Sequence, residues 1–370
     1  MTAPKLITGI DLPLEPSCGS MIFCSDLYHA MADRFRTTFL ALPPADPTWR
    51  HGFSRTLYCQ APKAPYGPGF PTYVDALTDE VRDHLAEQRP DAIHAQHLGF
   101  GLALAFVRAA GRLPVVAIAH GTDVIAAEES ELARATLTEI VARATTVVAP
   151  NYALGRRIDA LADHQHTDKI TIVPWGIPLH QVQRDPEPSP DGTLRLLHAG
   201  RLDANKSTIT AVEAMALTTA PHELTIIGSG SELDTLKRRT HTLGLDDRVH
   251  FTPFTPRHSL WKAFADFDAF LFTTAGTEAF GLVAVEAQDH GLLVAYADIT
   301  GMGETLGGAG YPYPPGDPQQ LATAIDKMTA DHEAHHALRA RGLANAARYA
   351  IADSADQMAA VTRQAIGAAA

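Results

Sequence analysis

Residues 269–287 read AFLFTTAGTEAFGLVAVEA. Ala269 to Thr274 has the length and apolar, β-favouring composition of a buried strand. Phe280-Gly281 can then turn the chain into a helix whose free N–H groups and positive dipole end face an anion. A diphosphate fits such a seat. Glu278 falls in the loop before the helix and Glu286 falls along it, so two carboxylates flank the seat and can accept hydrogen bonds from sugar or ribose hydroxyls.

The same alternation of strand and helix runs outward in both directions. Toward the C-terminus LLVAYAD (292–298) follows, and toward the N-terminus come RVHFTPF (248–254), LTIIGSG (224–230) and LRLLHAG (194–200). Before them Leu179 to Asp191, LHQVQRDPEPSPD, is polar and proline-rich, poor material for helix or strand, and is expected as a linker. Upstream the alternation resumes with TTFLALP (37–43), DAIHAQH (91–97), PVVAIAH (114–120) and TTVVAPN (145–151), with amphipathic helices expected at Thr78 to Gln88 and Leu132 to Arg143. Short Val- and Ile-rich runs separated by helices mark parallel sheets covered on both faces. From about Asp331 the chain is Ala- and Arg-rich with helical periodicity. The expected architecture is therefore α/β: two doubly wound, Rossmann-like domains facing each other across a cleft. Residues 1–178 form the first, 179–191 the linker, 192–345 the second, and 346–370 a terminal helix that packs back on the first. Such sheets bind ligands at the carboxyl ends of their strands.

Bulk properties narrow the function. At 370 residues the chain exceeds what one core usually supports, and 46% hydrophobic with 19% charged residues is ordinary globular composition. The net charge is -12, and residues 1–180 carry 15 Lys plus Arg against 19 Asp plus Glu, so neither half reads as a nucleic-acid or anionic-lipid binder. Cys18, Cys24 and Cys59 show no metal-binding spacing and fit free thiols in a reducing cytoplasm. No apolar run reaches about 18 residues and the N-terminus has no secretory pattern, so neither a membrane span nor export is expected. Frequent Ala and Arg suggest a GC-rich coding sequence.

The run E-A-F-G-L-V-A-V-E-A (278–287) after its strand resembles the E-x7-E signature of retaining GT-B glycosyltransferases, particularly glycosyltransferase family 4. His198 to Lys206, HAGRLDANK, resembles that family's G-R-L-x4-K element. Arg201 can grip phosphate oxygens with its planar fork and Lys206 adds a point charge, together offsetting a leaving nucleoside diphosphate. IVPWGIP (172–178) resembles the family's exit from the first domain, and LTIIGSGSEL (224–233) its strand ending in G-x-G, which as a lone glycine pair is also a generic α/β turn. Three departures stand out. Ser207 replaces a glycine after the lysine, Trp175 replaces an asparagine, and the N-terminal glycine loop is reduced to Ser17-Cys18-Gly19-Ser20.

The resemblance implies a nucleotide-sugar donor in the second domain, held by Gly19, Arg201, Lys206, Gly228, Phe254, Glu278, Ala279, Phe280, Gly281, Leu282 and Glu286. The base would rest near Val249 to Phe254. Glu278 would position the sugar, Glu286 the ribose, and His120, at a strand end beside the cleft, would contact sugar or acceptor. Retention is implied too, by front-face attack in which the leaving phosphate helps take the acceptor proton. No D-x-D stands at a strand end, Asp246-Asp247 lying in a turn, so cations and a helix dipole would replace a metal and no cofactor is expected beyond the nucleotide sugar as co-substrate. The mildly acidic first domain favours a small soluble acceptor, such as an antibiotic or other secondary-metabolite precursor, over a lipid. Ser20, His94, His97 and Asp123 are the acceptor-contact candidates because they lie at or after expected strand ends. The rivals are a GT-B epimerase, a pseudo-glycosyltransferase and a bilobed solute receptor.

Overall fold

A computed structural model describes residues 3–16, 18–44, 51–180, 192–276, 278–329 and 332–369. The chain forms two compact units, Met1–Pro178 with Ile351–Ala370, and Leu179–Ala350.

The first unit holds a seven-stranded parallel sheet: β1 Lys5–Pro13, β2 Arg36–Leu42, β3 Arg55–Tyr58, β4 Ala92–Gln96, β5 Val115–Ile118, β6 Thr146–Ala149 and β7 Ile170–Ile172, in the order β3-β2-β1-β4-β5-β6-β7. Its helices are α1 Gly19–Ala30, α2 Phe70–Gln88, α3 Gly101–Ala109, α4 Thr122–Glu129, α5 Glu131–Arg143 and α6 Tyr152–Leu161. Strands buried along their length, such as AIHAQ of β4, are what a sheet covered on both faces requires. One core joins Ile7, Leu40, Ile93 and Ala117 of the sheet to Val74, Leu77 and Phe106 of α2 and α3.

The second unit holds a six-stranded parallel sheet: β8 Arg195–Ala199, β9 Glu223–Ile227, β10 Val249–Thr252, β11 Ala269–Phe272, β12 Leu293–Ala297 and β13 Tyr311–Tyr313, in the order β10-β9-β8-β11-β12-β13. Between and after the strands lie α7 Thr208–Met215, α8 Leu233–Thr242, α9 Arg257–Ala263, α10 Leu282–Asp289, α11 Met302–Thr305, α12 Pro318–Lys327 and α13 His332–Ala346. Its core is separate and includes Leu196, Val212, Leu224, Leu271, Leu293 and Ile325.

In each sheet the winding reverses once, between β1 and β4 in the first unit and between β8 and β11 in the second. A reversal leaves a crevice at the carboxyl ends of the two strands, where open α/β sheets take ligands. The last helix, α14 Ile351–Ala369, belongs to the first unit. Its Ile351 amide donates to the Ile177 carbonyl, Ser354 Oγ to the Pro174 carbonyl, and Thr362 Oγ1 bonds His94 Nε2. Gly176 is the seat: a Cβ there would stand 2.6 Å from Ile351 Cα.

All nine strands expected from the sequence are present. Four others, β1, β3, β7 and β13, carry Gly9, Asp11 and Pro13, an exposed edge, or only three residues, and so lack a continuous apolar run. The expected helix at Thr78 to Gln88 begins eight residues earlier, at Phe70, with Pro71 in its first turn. Of the expected linker, 181–191 lies outside the described residues, as do Ser17 and Thr277. Among the described residues no helix is long and apolar enough to cross a membrane.

Candidate functional site

In the second unit the two strands at the reversal, β8 and β11, are those that precede the two motifs. Backbone meets backbone at the exit of β8. A Cβ on Gly228 would lie 1.9 Å from the Gly200 carbonyl oxygen, and one on Gly230 would lie 2.5 Å from the Leu202 carbonyl. The Leu202 amide donates to Ser229 and the Glu232 amide to Leu202, so the G-x-G turn carries the loop bearing Arg201. Gly228 thus shapes the loop through close packing.

Lys206 Nζ donates to Glu278 Oε2 at 2.7 Å, bringing together residues 72 apart in sequence. Both side chains are largely buried. The Lys206 carbonyl accepts from Thr273 Oγ1, which pins the loop to the exit of β11. Ser207, where the family pattern has glycine, sits in the left-handed region at φ 48° and precedes α7. Behind it His198 is clamped between the Leu271 carbonyl and Thr208 Oγ1, and burial holds its imidazole down to about 4. Arg201 pairs with Asp203 at 2.7 Å and remains half exposed, and Asp203 also accepts from Ser231.

Gly281 begins α10 at φ 79°, a conformation suited to glycine, and no side chain caps the helix. The amides of Gly281, Leu282 and Val283 donate to no group among the described residues. Four such orphan donors are the rule at a helix start and create a positive pole. Phe280 is buried edge-on against Tyr349, so only its backbone faces the loop, and Ala279 is buried as well. Leu282 is half-buried and Phe254, after β10, is 54% exposed. Glu286 is buried and paired with Arg257, whose Nε donates to Oε1 at 2.6 Å. The Arg257 guanidinium lies 4.6 Å from the centroid of Trp261.

In the first unit His120 follows β5, buried beside Trp175 and Phe23. Its Nε2 meets Gln96 Oε1 at 2.8 Å, and Gln96 Nε2 in turn contacts Tyr28 and Thr8 hydroxyls. A carbonyl oxygen can only accept, so Nε2 carries the proton and Nδ1 is left as a lone pair. That Nδ1 is buried with no hydrogen-bond partner among the described residues, and burial pushes the ring down to about 3. His97, left-handed at φ 67°, bonds Thr122 through Nε2, and its buried Nδ1 likewise has no partner among the described residues. Gly19 and Ser20 open α1, Gly19 exposed and Ser20 half-buried.

Two acceptor candidates take other roles. His94 stands in the middle of β4 rather than at its end, fully buried, with Nδ1 bonded to Tyr28 and Nε2 to Thr362. Asp123 is fully buried, and its two oxygens accept the amides of Leu98, His120, Gly121 and Val124. It organises the turns after β4 and β5. Sequence reasoning also missed Arg257, Thr273 and Asp203, which carry no signal of their own although they hold the motif residues Glu286, Lys206 and Arg201, and Asp11, buried in β1 with Tyr73 donating to it.

Comparison with known proteins agrees with this geometry. The family model described as Glycosyltransferase Family 4 matches residues 19–181, and that described as Glycosyl transferases group 1 matches residues 180–344. Curated relatives include D-inositol 3-phosphate glycosyltransferases from Nocardia farcinica, 27% identical over 77% of this chain and 70% of that protein, and from Jonesia denitrificans, 29% identical over 58% and 57%. The match therefore spans little more than half to 70% of these relatives' own length. Among solved structures, sucrose-phosphate synthase from Thermosynechococcus elongatus superimposes with a TM-score of 0.82 at 21% identity, covering 99% of this chain and 100% of that one. Anabaena HepE in complex with UDP and glucose gives 0.79 at 18%, covering 98% and 100%. With two parallel sheets of the GT-B type and the two family models together matching residues 19–344, the chain belongs to the group 1, family 4 glycosyltransferases.

Proposed function

We propose that this protein transfers a hexose-type sugar from a nucleoside diphosphate sugar, with retention of anomeric configuration and without a metal, to a small soluble acceptor. The single observation that carries the reading is Lys206, on the loop after β8, paired at the sheet reversal of the second unit with Glu278, on the loop after β11 that leads to the unbonded amides of Gly281, Leu282 and Val283. A cation from one loop paired to the loop that opens a helix pole suits a diphosphate.

As the bond from the anomeric carbon to the β-phosphate oxygen breaks, negative charge grows on the phosphate. Lys206, with two further N–H donors beyond the one given to Glu278, stabilises it together with Arg201 and the α10 amides. The acceptor oxygen bonds to the same face of the sugar and its proton passes to the departing phosphate. Glu278 orients the sugar hydroxyls and Glu286 the ribose, its buried charge compensated by Arg257. His120 offers the lone pair of Nδ1 to a substrate hydroxyl. The two relatives named for D-inositol 3-phosphate support a compact, polyhydroxylated acceptor.

The test is to find the stabilising nucleotide by thermal shift with UDP, GDP, ADP and TDP, then to assay the matching sugar donors with EDTA present. Nucleoside diphosphate release that requires an acceptor, with an axial or equatorial linkage matching the donor by NMR, supports the proposal. Inversion, strict dependence on added divalent metal, or conversion of the donor to an epimer without acceptor each refutes it.

A further inference from the structure

At the far end of α10 from Gly281, three side chains that belong to no part of the donor site come together. His180, Asp289 and His290 each present a ligand atom, and all three atoms lie within 4.8 Å of one another. His180 lies 109 residues before Asp289 in sequence, so no spacing motif announces the three. An eight-residue helix rises about 12 Å, which separates this cluster from the amides that serve a diphosphate.

We propose that His180, Asp289 and His290 form a transition-metal site of the zinc class, with three protein ligands and a fourth position for water, that ties the beginning of the second unit to the end of α10 and takes no part in sugar transfer.

The geometry is close to what a tetrahedral ion needs. With bonds near 2.0–2.1 Å, ligand atoms on a tetrahedron stand about 3.3 Å apart. His180 Nδ1 and Asp289 Oδ2 are already 3.2 Å apart. Bringing the His290 ligand atom in from 4.8 Å at most requires a contraction of about 1.5 Å, within reach of a side-chain adjustment. Asp289 is further oriented by the His180 amide, which donates to Oδ2 at 2.9 Å.

The surroundings supply what supports such ligands. His290 Nδ1 donates to the Glu286 carbonyl at 2.8 Å, the backbone bond by which a ligating histidine usually fixes its tautomer, and this leaves Nε2 with the lone pair. Trp261 packs on His180 and Phe264 stands edge-on to His290, giving the cluster an apolar wall. The indole Nε1 of Trp261, the ring that packs on His180, is a buried donor that makes no hydrogen bond among the described residues. Two imidazoles and one carboxylate favour zinc over magnesium or calcium, which seek oxygen ligands.

The experiment uses the full chain, stripped with EDTA and dialysed, and titrated with zinc sulfate while heat and thermal unfolding are followed. One equivalent bound at micromolar affinity or tighter is expected, with a rise in Tm of roughly 3–8 °C at a hundredfold excess over Kd. His180→Ala and Asp289→Asn remove both effects, while His166→Ala retains them. Because His180 is exposed, its removal leaves the fold intact, and circular dichroism of the metal-free variants verifies this. Cobalt in place of zinc gives the visible bands of a tetrahedral site. Binding unchanged in His180→Ala, binding of several weak equivalents, or no binding below millimolar zinc overturns the proposal. None of these readouts depends on sugar transfer.

Discussion

Lys206 and Glu278 neutralise one another across 2.7 Å, so each preorganises the other. Lys206→Ala removes the cation that answers the leaving diphosphate, and kcat is expected to fall about 10²- to 10³-fold. Lys206→Arg should recover part of it, since charge is kept while reach changes. Initial rates at saturating donor decide this, and a loss of only a few fold for Lys206→Ala would remove the lysine from the chemistry. Glu286 and Arg257 behave differently because both are mostly buried. Arg257→Ala strands a buried carboxylate, with an expected stability loss of about 2–4 kcal/mol by urea denaturation and a raised donor KM. Lysine there should rescue poorly, for it lacks the planar fork that stacks on Trp261. Arg201, Lys206, Glu278 and Glu286 could be singled out in the sequence because they fall at fixed places around strand ends. Arg257 could not, because its partner lies 29 residues away on a different element and nothing in R-H-S-L-W-K announces it.

Strands and turns divide on the same line. Runs such as LTIIGSG and AFLFTT are legible because central parallel strands must be apolar on both faces. β1 is not, because Gly9 is needed where a Cβ would press the Leu40 carbonyl at 2.4 Å, and Asp11 interrupts the apolar run. His94 and Asp123 show the limit from the other side. Polar residues near strand ends look functional in a sequence, yet one is consumed by a helix hydroxyl and the other by four backbone amides. The turn after β9 provides a sharp test. Gly228→Ala places a methyl 1.9 Å from the Gly200 oxygen, which neither backbone can absorb without moving the Arg201 loop. A stability loss of about 3 kcal/mol or more is expected, with weakened nucleotide binding, read by thermal unfolding and calorimetry. Wild-type stability in this variant would mean that the two turns are not in contact.

Across the whole molecule, burial of neutral imidazoles sets the response to acid. His94, His97 and His120 are held down to about 3 and His198 to about 4, all chiefly by burial. A folded-state value below the unfolded one, near 6.5, means that the unfolded chain takes up protons first. Stability is thus complete above about pH 6.5 and declines as pH falls toward 4, each ring contributing at most about 1.4 kcal/mol per pH unit within that window. Urea midpoints at pH 7.5, 6 and 5 should fall in that order, and a flat series would show that these rings are hydrated.

The placement of α14 bears on how the protein is made. Because Ile351–Ala369 completes a body whose other residues end at Pro178, the second unit is an insertion within the first. A ribosome delivering the chain in order finishes the inserted body before it supplies the last piece of the surrounding one. Until then the groove at Gly176 stands open and His94 lacks its Thr362 partner. Maturation of the N-terminal body is therefore timed by its distant closing segment, reversing the usual order of synthesis.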